Sequence, residues 1–232
     1  MKFNGFDKKG IEFLEQLSKN NTKEWFENNR HIWEETIHQP NINFIEDMGE
    51  TLQILVPTIN FKPKVGASLF KIYRDVRFSK DKTPMKSKIG LLFWQGQTHR
   101  MQSSSFYIHY DKDSYFIASG IRGFKPHLLK QYREYMKNEK HREELHNILE
   151  DIKSKGYKLP DPRYKRVPKE FDFEQDDKYT QLTKYDTMFA YKEFKINNDD
   201  IFFRVEFLDK AFGIFEELKD LQHWLYKMTI NN

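Results

Sequence analysis

Apolar side chains recur every three or four positions over the first sixty residues, which is the spacing of amphipathic helices. Asp7 and Thr22 stand where the N-terminal caps of two helices belong. Pro40 suits the first turn of a third helix, and Pro57 ends that helix. The pattern therefore predicts three helices, whose inner faces carry Ile11, Leu14, Leu17, Trp25, Phe26, Trp33, Ile37, Ile45, Met48, Leu52 and Leu55.

The next pattern is an alternation of apolar and polar residues in SLFKIYRDVRF, which predicts a β-strand over residues 68–78. Strict alternation places Arg74 on the apolar face. Either a bulge turns this arginine away, or it points inward and needs an acceptor. The rest of that face consists of Phe70, Ile72, Val76 and Phe78.

Further strands follow this segment. SKIGLLFW, residues 87–94, is a second strand candidate. The aromatic runs SFYIHY and SYFIASGI flank the short polar turn DKD, which predicts a hairpin over residues 105–121. YDTMFAYKEF, residues 185–194, is a weaker extended segment.

Helical spacing returns in two later segments. One helix is predicted over residues 125–155, and three prolines in the segment after it make residues 157–172 irregular. Residues 198–200 can cap a last helix that runs to Met228, with a break near Lys219.

The order of these elements predicts an α+β fold. N-terminal helices precede a central antiparallel sheet with a hairpin, and the C-terminal helices pack on one face of the sheet. We expect a single domain over residues 1–232, with residues 157–172 wrapping around it.

Composition supports a folded domain. The chain has 232 residues, 16% of them aromatic, which is typical of a packed core. It has no cysteine, so disulfides and thiolate metal sites are excluded. The N-terminal residues MKFNGFDKKG do not form a signal peptide, and no apolar run reaches the length of a membrane span. We expect a cytoplasmic protein without a membrane partner.

Positive charge is concentrated in one segment. Nine Lys or Arg and two Asp lie between Lys62 and Lys88, a local balance of +7, whereas the whole chain carries +4. The basic character is therefore local and lies on a slightly acidic protein.

The motif RDVRFSKDKTPMK offers the chemistry of an anion site. Arg74 and Arg77 can clamp a phosphate or carboxylate bidentately. The carboxylates Asp75 and Asp81 could orient the cations or move a proton. The alternative is a set of surface ion pairs of little energetic value. The remaining cations of the motif are Lys80, Lys82 and Lys86.

Two further candidates lie outside this motif. Trp25 and Arg30, in KNNTKEWFENNR, could add a stacking surface and a cation, although a capped helix junction explains the same residues. His109 lies in a predicted strand and is a candidate acid or base, with core packing as its alternative. No phosphate-loop, zinc-helix or serine-nucleophile motif is present, so we predict no metal site, and the sequence leaves any cofactor unknown.

Several segments resemble, in order, the uncharacterised bacterial and fungal family named domain of unknown function 2461. They are NNTKEWFENNR, FKIYRDVRFSKDKTPMKSKIG, SFYIHY and YKRVPKEFD, and the resemblance covers roughly residues 6–227. YRDVRFSKDKTP is its most specific part. The positions that the resemblance marks are Asn21, Trp25, Phe26, Arg30, Arg74, Asp75, Arg77, Phe78, Asp81, Lys82, Pro84, Lys86, Gly120, Arg133 and Pro168.

The chain departs from this family at two places. Met85 stands where the family usually has an aromatic residue, and Glu170 where it has a glycine. The second departure puts in doubt an anion-binding role for the backbone around Lys169. The resemblance implies a site at the charged motif but no reaction.

Three hypotheses follow. The first is a cationic site, enzymatic or not, that binds an anionic ligand bearing phosphate or carboxylate. The second is a nucleic-acid-binding module that uses the basic segment 62–88, with Tyr73, Phe78 or Trp94 stacking on bases. The third is a scaffold without catalysis, in which the motif is a buried salt-bridge network that fixes the fold. The residues leave the reaction and the oligomeric state open.

Overall fold

The computed structural model describes residues 1–171 and 178–231, and its N-terminal part is helical as predicted. The Asp7 carboxylate caps the first helix by accepting from the Lys9 amide at 2.8 Å. Thr22 caps the second by accepting from the Trp25 amide at 3.1 Å. The elements are α1 Lys8–Lys19, α2 Lys23–Asn28, α3 Arg30–Trp33, a π-helical turn Glu34–His38, and α4 Gln39–Leu52.

The third predicted helix differs from expectation at both ends. Pro40 lies in the first turn of α4, as predicted, but α4 continues directly from the π-helical turn without a break. Proline is tolerated there because the first turn of a helix needs no backbone donor. The helix ends at Leu52, so Leu55 lies outside it and Pro57 does not terminate it.

The central sheet has five antiparallel strands in the order β1-β2-β3-β4-β5. The hairpin is confirmed, because the Asp111 carboxylate accepts from the amides of Asp113 and Ser114 at 2.9 Å and closes the turn. The predicted strands near residues 87–94 and 185–194 are also present. The strands are β1 Ile59–Asn60, β2 Ile89–Gln95, β3 Ser105–Tyr110, β4 Ser114–Ile121 and β5 Met188–Lys195.

The predicted strand over residues 68–78 is wrong. This segment is extended, but among the described residues only isolated bridges join it to its neighbours: Leu69 to Val65 and Leu91, and Tyr73 to Met85. The chain then turns at Arg77, so Phe78 is not inward but 96% exposed. The alternation in the sequence reflects an extended chain that has one buried side and no continuous ladder of backbone hydrogen bonds.

The C-terminal helices are α5 Pro126–Met136, α6 Glu139–Ser154, α7 Phe207–Glu217 and α8 Lys219–Ile230. The single helix predicted over 125–155 is two helices, because the Asn138 side chain caps α6 by accepting from the Lys140 amide at 3.0 Å. The predicted break near Lys219 is confirmed. Residues 198–200 do not cap the last helix, because a short 3-10 helix, Asp200–Phe203, precedes α7.

The segment predicted to be irregular contains no helix or strand over residues 157–171, and residue 172 lies outside the described residues. Within the described part, Lys158 forms an isolated bridge with Tyr191. The Tyr164 amide donates to the Lys184 carbonyl at 3.0 Å. The α+β architecture is as predicted, and a single domain over residues 1–232 stays a prediction.

Contacts divide the chain into two compact units. Unit 1 comprises Met1–Phe93, Tyr107–Ile117 and Glu193–Ile214. Its core is aromatic, with the ring of Phe6 centred 4.8 Å from Phe202 and 5.0 Å from Tyr110. The Asn41 amide donates to the buried Tyr110 hydroxyl at 2.7 Å, which satisfies a polar group inside this core.

Unit 2 comprises Trp94–Phe106, Ala118–Lys192 and Phe215–Asn232. Trp224 is fully buried, and its indole N–H donates to the His141 carbonyl at 3.1 Å. The Tyr132 hydroxyl donates to the Leu182 carbonyl at 2.8 Å. These bonds let large aromatic side chains pack in the interior without leaving a polar atom unsatisfied.

Gly120 in β4 is required by close backbone packing. Its φ of +140° suits only glycine, and a Cβ there would collide with the Met188 carbonyl oxygen in β5.

We expect Gly120→Ala to lower the free energy of unfolding by at least about 2 kcal/mol, measured by urea denaturation. Gly123→Ala is the matched control, because its φ is +75° but nothing lies within 4 Å of its Cβ. Equal losses in the two variants would contradict this account.

Candidate anion-binding loop

The charged motif forms a closed loop in unit 1. The Arg74 amide donates to the Pro84 carbonyl, and the Lys86 amide donates to the Ile72 carbonyl, both at 2.8 Å. These bonds flank the bridge between Tyr73 and Met85. They bring the two ends of the motif together, and we call residues 74–86 the cationic loop.

Asn21 ties this loop to the helices. Its side-chain amide donates to the Met85 carbonyl at 3.0 Å, and its side-chain oxygen accepts from the Met85 amide at 2.9 Å. Met85 itself is buried. Its departure from the aromatic residue of the resembled family therefore concerns packing and not the charged surface. Asparagine suits this position, because its side-chain amide group carries the donor and the acceptor that these two hydrogen bonds need.

Arg74, for which the alternation left a bulge or an inward position open, is partly buried and has acceptors. Its side chain is 26% exposed, and Nη1 donates to the Asp81 carboxylate and to the Thr83 hydroxyl. The Thr83 amide in turn donates to Asp81 at 2.9 Å. Asp81 therefore holds the base of the loop together.

Arg77 forms a second, more exposed pair. Its Nε and Nη2 donate to the two oxygens of Asp75 at 2.9 and 2.6 Å. The side chains of both residues are more than half exposed, so the pair is a surface ion pair. Asp81, at 57% exposure, also faces solvent, and the exposure of these carboxylates argues against the buried network of the scaffold hypothesis.

The two aspartates are strongly acidic. Hydrogen bonds from the Arg77 side chain and amide lower the pKa of Asp75 to about 2. The Thr83 amide, followed by Arg74 and the Thr83 hydroxyl, lowers the pKa of Asp81 to about 2. A carboxylate with so low a pKa is a poor general base near neutral pH. This favours a positioning role for both residues over proton transfer.

The outer part of the loop presents cations and one aromatic ring. The Lys82 ammonium donates to the Val76 carbonyl at 2.9 Å. Among the described residues, neither Lys82 nor the exposed Lys80 has a carboxylate within 4.0 Å. Lys86 lies over the ring of Phe70 at 5.9 Å. Phe78 is almost completely exposed, with the Arg77 guanidinium 5.8 Å from its centroid.

Trp25 and Arg30 have structural partners. The ring of Trp25 packs on Phe13 with centroids 5.4 Å apart. Arg30 donates to both oxygens of Glu27 at 2.8 and 2.9 Å, and the Tyr73 hydroxyl donates to Glu27 at 2.8 Å. Bonds from Arg30 and Tyr73 lower the pKa of Glu27 to about 2. Sequence reasoning missed Glu27, because nothing in its spacing links it to Tyr73.

A cleft of about 400 Å³ lies beside Tyr73. Of the predicted site residues it includes only Arg30. Sequence reasoning missed it, because its lining comes from two separate segments. The lining residues are Phe26, Arg30, Trp33, Glu34, His38, Val65, Lys71, Ile72 and Tyr73.

His109 lies in β3 and packs on an aromatic neighbour. Its ring stacks on Phe116 with centroids 4.6 Å apart and an interplanar angle of 16°. The ring of Tyr107 is also close, with its centroid 5.6 Å from His109 and 6.4 Å from Phe116. This geometry favours the packing interpretation of His109 over a role as acid or base.

Two further findings concern metal binding and membrane spans. Within residues 1–171 and 178–231, no group of His, Asp and Glu side chains is arranged to hold a metal ion. Over the same residues, no helix has the length and apolar character needed to cross a membrane.

Comparison with known proteins identifies the family. The model of the family described as "Conserved hypothetical protein (DUF2461)" matches residues 9–224. The chain belongs to this family. No curated protein matches it.

The surface position of the Arg74 network predicts the result of removing it. We expect Arg74→Ala to remain folded and to lower the melting temperature by no more than about 4 °C, because solvent screens such pairs. Circular dichroism during heating measures this change. Outright unfolding of the variant would restore the buried-network hypothesis.

Proposed function

We propose that the cationic loop binds an anionic ligand that carries phosphate or carboxylate groups. One observation carries this proposal, the surplus of cations on an exposed and closed loop. Five Lys or Arg and two Asp lie between residues 74 and 86. Both aspartates accept hydrogen bonds from arginines, whereas Lys80 and Lys82 have no carboxylate partner in the described structure.

The arginines add directed donors to this charge. Asp75 takes the Nε and Nη2 donors of Arg77. A guanidinium has five N–H groups, so Arg77 keeps donors for a ligand oxygen while Asp75 fixes its orientation. Lys80 and Lys82 then act as point charges that neutralise the ligand.

The aspartates hold the cations in this proposal and do not react. Their low pKa supports that assignment, since a general base needs a pKa nearer to neutral. The proposed function is therefore binding, and catalysis is not part of it.

Single-stranded nucleic acid is a second candidate ligand, and the exposure of Phe78 favours it. An apolar ring at 96% exposure in the middle of a cationic loop provides a stacking surface next to phosphate-binding cations. A small phosphate or carboxylate would not use this ring. The role of Phe78 therefore separates the two candidates.

The double variant Lys80→Gln/Lys82→Gln tests the proposal. Calorimetry with inorganic phosphate and citrate tests small anions, and anisotropy with a labelled thymidine oligomer tests nucleic acid. We expect the variant to weaken whichever of these probes binds wild type. For the oligomer, the logarithm of the association constant decreases linearly with the logarithm of the salt concentration. The magnitude of this slope should decrease by about 1.4 when two phosphate contacts are lost.

Matched controls make the outcomes distinct. Lys153→Gln/Lys155→Gln removes two exposed lysines of unit 2 and should change nothing. Phe78→Ala should weaken oligomer binding at least fivefold, as expected from about 1 kcal/mol of stacking per base, and leave an abasic oligomer unaffected. If the loop variant binds every probe as wild type does, the proposal is wrong.

A further inference from the structure

A second cleft, of about 540 Å³, lies in unit 2 beside α5. This volume falls within the range of small-molecule sites, roughly 300–1,000 Å³. Its walls combine apolar residues with charged ones. The apolar residues are Phe124, Pro126 and Leu129, and Tyr164 adds an aromatic ring.

Arg133 is the central charged residue of this cleft. Its Nη1 donates to Glu170 at 2.9 Å, and its guanidinium lies 5.1 Å from the centroid of Tyr164. Its Nε is buried and has no acceptor among the described residues. A buried donor without an acceptor is costly, so it calls for a partner that residues 1–171 and 178–231 do not supply.

Three other cations line the same cleft. Arg163 donates to Asp186 at 2.6 Å and lies 6.0 Å from the ring of Tyr164. Lys137 pairs with Glu134 at 2.7 Å. Lys130 is exposed, and no carboxylate of the described residues lies within 4.0 Å of it. Four cations thus face three carboxylates, which leaves an excess of positive charge.

We propose that this cleft binds a small ligand in which an oxyanion, phosphate or carboxylate, is joined to an apolar body. Arg133 lines the cleft, and its guanidinium has the fork geometry that such oxyanions recognise. Lys130 neutralises the remaining charge, and the apolar wall covers the body of the ligand. This site is separate from the cationic loop and does not depend on the function proposed for it.

The same contacts argue against a metal cation as the occupant. Each carboxylate of the cleft already faces a cation, through the pairs of Glu134, Glu170 and Asp186. A cation would have to displace these partners, whereas an oxyanion meets donors that are still available.

Glu170 competes with the ligand in this proposal. It occupies Nη1 of Arg133 and contributes negative charge where an anion would bind. Removing its charge should strengthen anion binding, and removing the guanidinium should weaken it. These opposite signs would not arise if both residues were merely structural.

Titration calorimetry on the full chain tests the proposal. The probes are phenyl phosphate and benzoate, with benzyl alcohol as the uncharged control. We expect at least one anionic probe to bind and the alcohol not to. Arg133→Gln should weaken binding by about tenfold or more, the loss of a charged hydrogen bond. Glu170→Gln should tighten it by about two- to fivefold. The stronger of the two anions identifies the headgroup.

Lys153→Gln, on α6, is the matched control and should bind as wild type does. Absence of heat from both anions at millimolar concentration would overturn the proposal, as would unchanged binding in Arg133→Gln. If Arg133→Gln fails to fold, the measurement on Glu170→Gln tests the proposal instead. Anion binding that is unchanged or weaker in Glu170→Gln would contradict the proposal. If Lys80→Gln/Lys82→Gln abolishes phenyl phosphate binding, the anion occupies the cationic loop, which overturns this inference and supports the function proposed above.

Discussion

The paired hydrogen bonds between the Asn21 side chain and the Met85 backbone are the constraint on which the candidate site depends. They connect the junction of α1 and α2 to the end of the cationic loop. Within the part of the chain that the structure describes, no strand holds the loop, and its β-type pairing is the isolated bridge between Tyr73 and Met85. Backbone geometry at Met85 therefore sets the closure of the loop, and Asn21 sets that geometry.

Closure divides the charges of the motif into two classes. Arg74 lies at the base, and its side chain donates hydrogen bonds within the loop, to Asp81 and Thr83. Lys80 lies in the outer part of the loop and faces solvent, together with Phe78. A motif that looks uniformly basic in sequence is thus part structural and part available for binding. This division explains how a loop rich in like charges stays closed while keeping a net positive surface.

Local patterns predicted much of the fold but little of the site. The hairpin turn at residues 111–113 and the caps Asp7 and Thr22 were predictable, because each depends on contacts between near neighbours in sequence. The strand over residues 68–78 was predicted wrongly, since alternation indicates one buried side and does not specify a hydrogen-bonded neighbour.

Long-range contacts explain what the sequence could not predict. Arg133 meets Glu170 and Tyr164 across more than thirty residues, and no local pattern relates them. The partnership of Asn21 with Met85 spans 64 positions. The charges of the motif were visible in the sequence, but their division into paired and outward-facing groups required the closed loop.

Amide hydrogen exchange on Asn21→Ala tests this central claim most directly. The variant loses both bonds to Met85, and Asn28→Ala, an exposed asparagine at the end of α2, is the control. The account predicts that the amides of Arg74 and Lys86 exchange about ten times faster or more in Asn21→Ala, as expected from the loss of one to two hydrogen bonds. Amides of unit 2 should keep their protection. Unchanged protection at Arg74 and Lys86 would contradict the claim that Asn21 closes the loop.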